Sequence, residues 1–222
     1  MKKIALLFLL LPLLAAGCHH GVMRSNVQGS GKRVLEKRNV TAFTSISTEG
    51  AFDIEVTAQK DLAVEVEGDD NVLAFVTAEV SHNVLRLRST KDYSSSEPVK
   101  FRISVPNLEG LSVSGAGHVE IKGVNNDKFE INASGAPTIN VSGTTKVIDI
   151  DSSGAGKIDT HNLHASRGVV DSKGVSRIDI DVTDQLDVKI SGPSSVYYKG
   201  DPQINKTING PGKVERRGGE GA

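Results

Sequence analysis

From about residue 103 to 215 the chain alternates apolar and polar positions in short runs, each broken by a glycine. Six segments align on that glycine: Leu111–Val119 around Gly115, Ile131–Ile139 around Gly135, Ile150–Ile158 around Gly154, Val170–Ile178 around Gly174, Val188–Val196 around Gly192 and Lys206–Val214 around Gly210. The glycines stand 20, 19, 20, 18 and 18 residues apart. Four positions before the glycine lie Leu111, Ile131, Ile150, Val170 and Val188; four after it lie Val119, Ile139, Ile158, Ile178, Val196 and Val214. Two before it the residues are smaller or apolar, including Val113, Ala133, Ser152 and Ser172. Period-two alternation predicts strands with one buried face, and no 3.6-residue period supports a helix. A rung of about 19 residues holds about two strands of five residues plus turns. One such rung cannot bury its apolar face alone, so rungs must stack. The predicted fold is all-β: a parallel β-solenoid in which Gly and its small or Pro follower turn a sharp corner. An antiparallel sandwich is the competing arrangement, and the in-register columns favour the solenoid.

The N-terminal half is less regular. Glu49–Val56 reads as a first rung, and Leu62–Glu67, Val84–Arg88 and Val99–Val105 as further strands. Asp70-Asn71 precedes a short apolar run, consistent with one helical turn capped by Asp70. These strands are expected to form an irregular β cap that shields one end of the stack from edge-to-edge pairing.

Phe43-Thr44-Ser45-Ile46, Gly50-Ala51-Phe52-Asp53-Ile54, Gly68-Asp69-Asp70-Asn71, Val84-Leu85-Arg86-Leu87, Ile103–Leu108 and the Ser114-Gly115-Ala116-Gly117 repeats occur in this order. Over roughly residues 40–200 this succession resembles the family called putative auto-transporter adhesin, head GIN domain. The resemblance implies a secreted or lipid-anchored β-solenoid and brings no catalytic residues with it. The chain departs from the family pattern at Lys173-Gly174-Val175-Ser176, where Ser-Gly-x-Gly degrades.

The first residues carry an address. Lys2 and Lys3 precede an 11-residue apolar stretch, Ile4 to Leu14, which is too short to span a bilayer. Leu14-Ala15-Ala16-Gly17-Cys18 then resembles a bacterial lipobox, and Cys18 is the one cysteine of the chain. Residues 1–17 are expected to be a lipoprotein signal peptide, with Cys18 lipidated and holding the protein on a membrane; an ordinary secretory signal is the alternative. His19 follows the cysteine where Asp would favour the inner membrane, so the expected location is the bacterial cell envelope, as an outer-membrane lipoprotein facing either the periplasm or the surface. Residues 18–40 are polar and Gly-containing and are expected to be a flexible tether, 41–215 a single solenoid domain and 216–222 a disordered tail.

Composition narrows the chemistry. The 222 residues include 23 Gly, 1 Cys and no Trp, with 26 basic and 27 acidic residues. One cysteine excludes an internal disulfide and a Cys-based zinc site. Loss of Lys2 and Lys3 with the signal leaves 24 basic against 27 acidic residues, or −3. That balance, without interleaved aromatics, gives no footprint for nucleic acid. No nucleophile elbow or phosphate-cradling loop is present, and His161 and His164, three apart, suit neither a strand face nor a zincin helix. Neither a cofactor nor a metal is expected. The remaining candidates face outward. Asp151 and Asp171 share one rung position, Asp159 and Asp179 another, with Lys157 and Arg177 two residues before the latter pair. They read as a solvated ladder, or else as a weak Ca²⁺ site or a carboxylate pair acting on a sugar polymer. Tyr197 is the nearest approach to an aromatic sugar platform. The expected function is a non-enzymatic envelope protein whose solenoid binds a surface, polymer or protein; the alternative is a small β-helix enzyme acting on an acidic polysaccharide.

Overall fold

The computed structural model describes residues 26–217; the predicted signal peptide, Cys18 and residues 218–222 lie outside them. Strands make up 68% of the described residues and helix 2%, and parallel coils stack into a β-solenoid of about five turns. The elements in chain order are β1 (Val27–Gln28), β2 (Arg33–Lys37), β3 (Ser45–Glu49), β4 (Asp53–Ala58), β5 (Ala63–Asp69), α1 (Asp70–Leu73), β6 (Val76–Ser81), β7 (Val84–Ser89), β8 (Tyr93–Ser94) and β9 (Lys100–Val105). They continue as β10 (Gly110–Gly115), β11 (His118–Gly135), β12 (Thr138–Ser152), β13 (Lys157–Ser172), β14 (Arg177–Ser191), β15 (Ser195–Lys199), β16 (Gln203–Asn209) and β17 (Lys213–Arg216).

The expected register is the one observed. Leu111 pairs with Ile131, Ile131 with Ile150, Ile150 with Val170 and Val170 with Val188. On the other side of the glycine, Val119, Ile139, Ile158, Ile178, Val196 and Val214 pair in succession. All but Val214 of these are buried. The two-strand rung needs one correction. β11 to β14 each run for 15 to 18 residues, and the pairing shifts register partway, as at Ile121/Val124. The strand bends there without losing its ladder, and Val124, Leu163 and Val182 on separate coils are buried beyond the bend.

The glycine corner is governed by distance between backbones. A Cβ on Gly154 would lie 1.9 Å from the carbonyl oxygen of Gly135, and one on Gly115, at φ +144°, would lie 2.3 Å from that of Gly50. Beside the corner the core turns polar: Ser152 and Ser172 point inward and exchange hydrogen bonds with Ser176 (2.6 Å) and Ser194 (2.7 Å). Ser194 Oγ in turn donates to the Gly174 carbonyl, so these buried hydroxyls are satisfied.

The N-terminal half adds both coils and a cap. β3 and β4 pair in parallel with β10 and β11, but they are not the outermost coil: β7 and β9 pair in parallel on their far side. The chain runs outward, then returns through Pro106–Glu109 to resume beside β3. β5 and β6 close this end by pairing antiparallel with β9 and β7, and Phe52 meets Phe101 edge-on beneath them, centroids 5.4 Å apart. Three local expectations are revised. Arg33–Lys37 is not tether but strand β2, antiparallel on β5, and β1 pairs with β8. Hydrogen bonds from Gly29 N to Ser94 O and from Asn71 Nδ2 to Gln28 O fasten this arm. The helical turn starts at Asp70, with Asp69 at its N-cap position; the Asp69 side chain accepts from Ser95 Oγ instead of capping. Arg216 belongs to β17 and Arg217 to an ion pair, so the ordered chain reaches further than expected. At the C-terminal end β16 and β17 are paired on one side only among the described residues.

Candidate ligand-facing surfaces

Alternation that buries the position four after the glycine turns the positions three and five after it outward. The fifth position reads Glu120, Asn140, Asp159, Asp179, Tyr197 and Glu215 from coil to coil, continuing into Glu55 and Arg102 at the capped end. The third carries Lys157, Arg177 and Lys213, which reach their neighbours at 3.9 Å (Asp159), 3.0 Å (Asp179) and 2.9 Å (Glu215). The ladder of opposite charges is therefore present.

Two of its members are not the solvated groups their spacing suggests. The Asp179 side chain is 1% exposed, covered by Arg177 and by Arg217, whose Nη2 stands 2.7 Å from Oδ1. The Asp159 side chain is 14% exposed and hydrogen-bonds with the ring of His161, whose backbone N–H also donates to it. Long cationic side chains lying over the strand, and a histidine folded back, remove the water that strand alternation alone would leave. Burial pushes the Asp159 carboxyl up, but the His161 hydrogen bonds and the charges of His161 and Lys157 outweigh it, and its pKa falls below the ordinary range. Hydrogen bonds from Lys100 to Glu55, from Arg102 to Glu67 and from Asn205 to Asp187 lower those carboxyls too. Groups lowered in the folded state contribute stability above the unfolded carboxyl pKa of about 4 and lose it as pH falls through the folded value. The urea midpoint is thus expected to stay level from pH 7 to about 5 and to drop below about 4. Asp159→Asn should show a shallower drop, and a midpoint rising on acidification would contradict these shifts.

Asp151 and Asp171 face outward on the strand before the corner, 46% and 30% exposed. They are in register with one another, as are Asp159 and Asp179, but the corner separates the two pairs onto different sides. Lys173 bridges Asp151 (3.1 Å) and Asp171 (3.3 Å), offsetting the like-charge stack. His161 and His164 do not converge: His164 pairs with Asp181 (2.8 Å) on the next strand, while His161 pairs with Asp159. Among the described residues no three His, Cys, Asp or Glu side chains come together as metal ligands.

One concavity was not among the sequence candidates. A groove of about 970 Å³ runs along the bend side of the coils, lined by Pro106, Asn107, Asn125, Asn126, Asp127, Thr144, Thr145 and Lys146 with Glu109, Lys128 and Glu130. Asn126 donates to the Leu108 carbonyl (2.6 Å) and accepts from Thr145 Oγ1 (2.7 Å), which ties the returning segment to two coils. Lys146 pairs with Asp127 at 2.7 Å. A signal for it does exist: Asn125-Asn126-Asp127 is followed 19 residues later by Thr144-Thr145-Lys146, polar runs in register on adjacent coils. Such amide and hydroxyl groups can exchange hydrogen bonds with sugar hydroxyls or an extended peptide.

The geometry defines a class: a β-solenoid that displays charge-paired columns and an open polar groove along its sides. The family profile described as putative auto-transporter adhesin, head GIN domain, matches residues 42–202, and the chain belongs to that family. Its fold is similar to that of a protein named putative adhesin from Bacteroides fragilis NCTC 9343, with 25% identity over 86% of this chain and 100% of that one, TM-score 0.73. It is also similar to a protein named putative lipid binding protein from Parabacteroides distasonis ATCC 8503, with 20% identity over 87% and 100% and TM-score 0.57. A protein named putative adhesin from Parabacteroides merdae ATCC 43184 shares 19% identity over 87% and 99%, TM-score 0.56. No curated protein matches the chain.

Proposed function

We propose that this is a non-enzymatic lipoprotein of the bacterial cell envelope, held on the outer membrane through Cys18, whose solenoid binds an extracellular or envelope polymer or protein. The observation that carries the reading is the open polar groove of about 970 Å³ along the coils, whose amide and hydroxyl side chains offer hydrogen bonds to a polymer or an extended peptide. Family membership supports an adhesive role, and the sequence of the N-terminus supports the anchor. No helix among the described residues is long and apolar enough to cross a membrane.

The binding half is tested on a glycan and matrix-protein array with N125R/T144R, which fills the groove from two exposed positions without touching Asn126. Wild type should give discrete hits that the variant weakens by tenfold or more. Hits that survive the variant place binding elsewhere, and turnover of a polymer that is lost in Asp151→Asn or Asp171→Asn would make the protein an enzyme. The anchoring half is tested with Cys18→Ser in a host with two membranes. The variant should lose labelled palmitate and leave the membrane pellet; a variant that still labels and pellets refutes the anchor.

A further inference from the structure

At the C-terminal end of the solenoid an aromatic ring interrupts the outward acidic column. Tyr197 occupies the position held by Asp159, Asp179 and Glu215 in neighbouring coils. Three cations gather around it: the Arg177 guanidinium 4.3 Å from the ring centroid, Lys213 Nζ at 5.1 Å and the Arg217 guanidinium at 5.8 Å. Asp179, buried beside the ring, meets Arg177 Nε at 3.0 Å and Arg217 Nη2 at 2.7 Å. Lys213 holds Glu215 at 2.9 Å. Three cations face two carboxylates, and where the column would supply a third acid it supplies the ring.

This arrangement costs more than shielding Asp179 requires. One guanidinium suffices to neutralise a carboxylate, and bringing further cations close adds repulsion. The ring offsets part of that through its negative faces. Arg177 donates to Asp179 through Nε, and a guanidinium carries five N–H donors. Arg177, Lys213 and Arg217 remain 45%, 46% and 45% exposed. The outcome is a set of cations, two arginines against a buried acid and a lysine against exposed Glu215, with donors left for an external oxyanion.

We propose that Arg177, Lys213, Arg217 and Tyr197 form a binding site for the carboxylate or sulfate groups of an acidic polysaccharide. Arginine donors match such groups in a two-pronged geometry, and prior fixing by Asp179 and Tyr197 lowers the ordering cost of binding. The phenol oxygen accepts from Arg177 and Lys213, and its O–H is left to donate to an adjacent sugar hydroxyl. A lipid headgroup shares the anionic chemistry, but position favours the polymer. The N-terminal arm is fastened at the capped end, where Gly29 N donates to Ser94 O and β2 pairs with β5. From β9 to β15 the stack runs through β4, β11, β12, β13 and β14, roughly 30 Å at about 4.8 Å per strand. If the chain is anchored as proposed above, this site stands away from its own membrane; the inference rests on the adhesive reading and assigns it a ligand class at a second place.

The test uses the full chain, purified in detergent, against immobilised heparin, polygalacturonate and neutral dextran, and against vesicles of phosphatidylglycerol or phosphatidylcholine. Heparin or polygalacturonate should be bound and dextran not, with affinity falling as salt rises. K213Q/R217Q should weaken binding tenfold or more, R217K should lose severalfold because a lysine keeps the charge but not the two-pronged donors, and Tyr197→Leu should lose severalfold with all charges kept. N125R/T144R, which adds two cations elsewhere, should not weaken acidic-glycan binding. If K213Q/R217Q, folded by circular dichroism, binds as wild type does, or if neither acidic polymer is held, the site is refuted. Phosphatidylglycerol capture lost in K213Q/R217Q, without glycan binding, would overturn it in favour of a lipid headgroup. Array hits lost only in N125R/T144R would leave the adhesive reading standing and remove this site alone.

Discussion

Ile158→Asp is expected to destabilise the protein by several kcal/mol and to abolish a cooperative urea transition near the wild-type midpoint. Ile158 is fully buried in β13, with Ile139 and Ile178 directly beside it on the neighbouring strands. A carboxylate there has neither water nor a counter-charge, and a buried unpaired charge is among the costliest single changes known. The adjacent Asp159→Ala is the internal comparison. Alternation alone makes Asp159 a solvent-facing residue worth about 0.5 kcal/mol or less. Its hydrogen bonds with His161 and its 14% exposure raise the expected loss to about 1 kcal/mol. Equal losses at the two positions, measured by urea unfolding, would mean that the two faces have been exchanged by a one-residue slip.

Gly154→Ala is expected to be almost as damaging, about 3 kcal/mol or more, although it adds only a methyl group. The new Cβ would sit 1.9 Å from the Gly135 carbonyl oxygen and 2.6 Å from its nitrogen. Both are backbone atoms, which cannot swing aside as a side chain can. Relief requires the coils to part, and that breaks the corner hydrogen bonds from Ala155 N to Gly135 O (2.7 Å) and from Val175 N to Gly154 O (2.9 Å). The melting temperature should fall well below that of Ser153→Ala, an exposed neighbour expected to change stability by about 0.5 kcal/mol or less. A Gly154→Ala melt matching that of Ser153→Ala would show that the corner has slack that its geometry denies.

The repeat itself was legible because it is enforced at every coil. Each rung must bury the same positions against its neighbours, so Leu111, Ile131, Ile150, Val170 and Val188 had to recur in step, and a column of aliphatics with one glycine reads as a stacked strand. Ser152 and Ser172 were legible only as small residues. Their partners Ser176 and Ser194 lie across the corner on following coils, and a hydroxyl network of that kind has no periodic signature. The groove escaped for a related reason. It depends on Pro106–Glu109 crossing the coil ends on the way back from β9, a path set by strand order rather than by local pattern.

The sequence by itself determined the fold class, the register, the glycine corners and the family, all consequences of short-range alternation repeated along the chain. It also placed the acids and bases of the outward columns in the right strands. Only the tertiary structure decided which of those acids meet water. Asp151 stays exposed, while Asp179 disappears beneath Arg177 and Arg217, the second arriving from a coil 38 residues further on. Likewise Glu49–Val56 was readable as a rung, but the place of β3 and β4 inside the stack, between β10 and β7 on one side and β11 and β9 on the other, was not. Burial of a polar side chain and the order of coils depend on which distant segments come to lie beside it, and a pattern with a two-residue period carries no information about that.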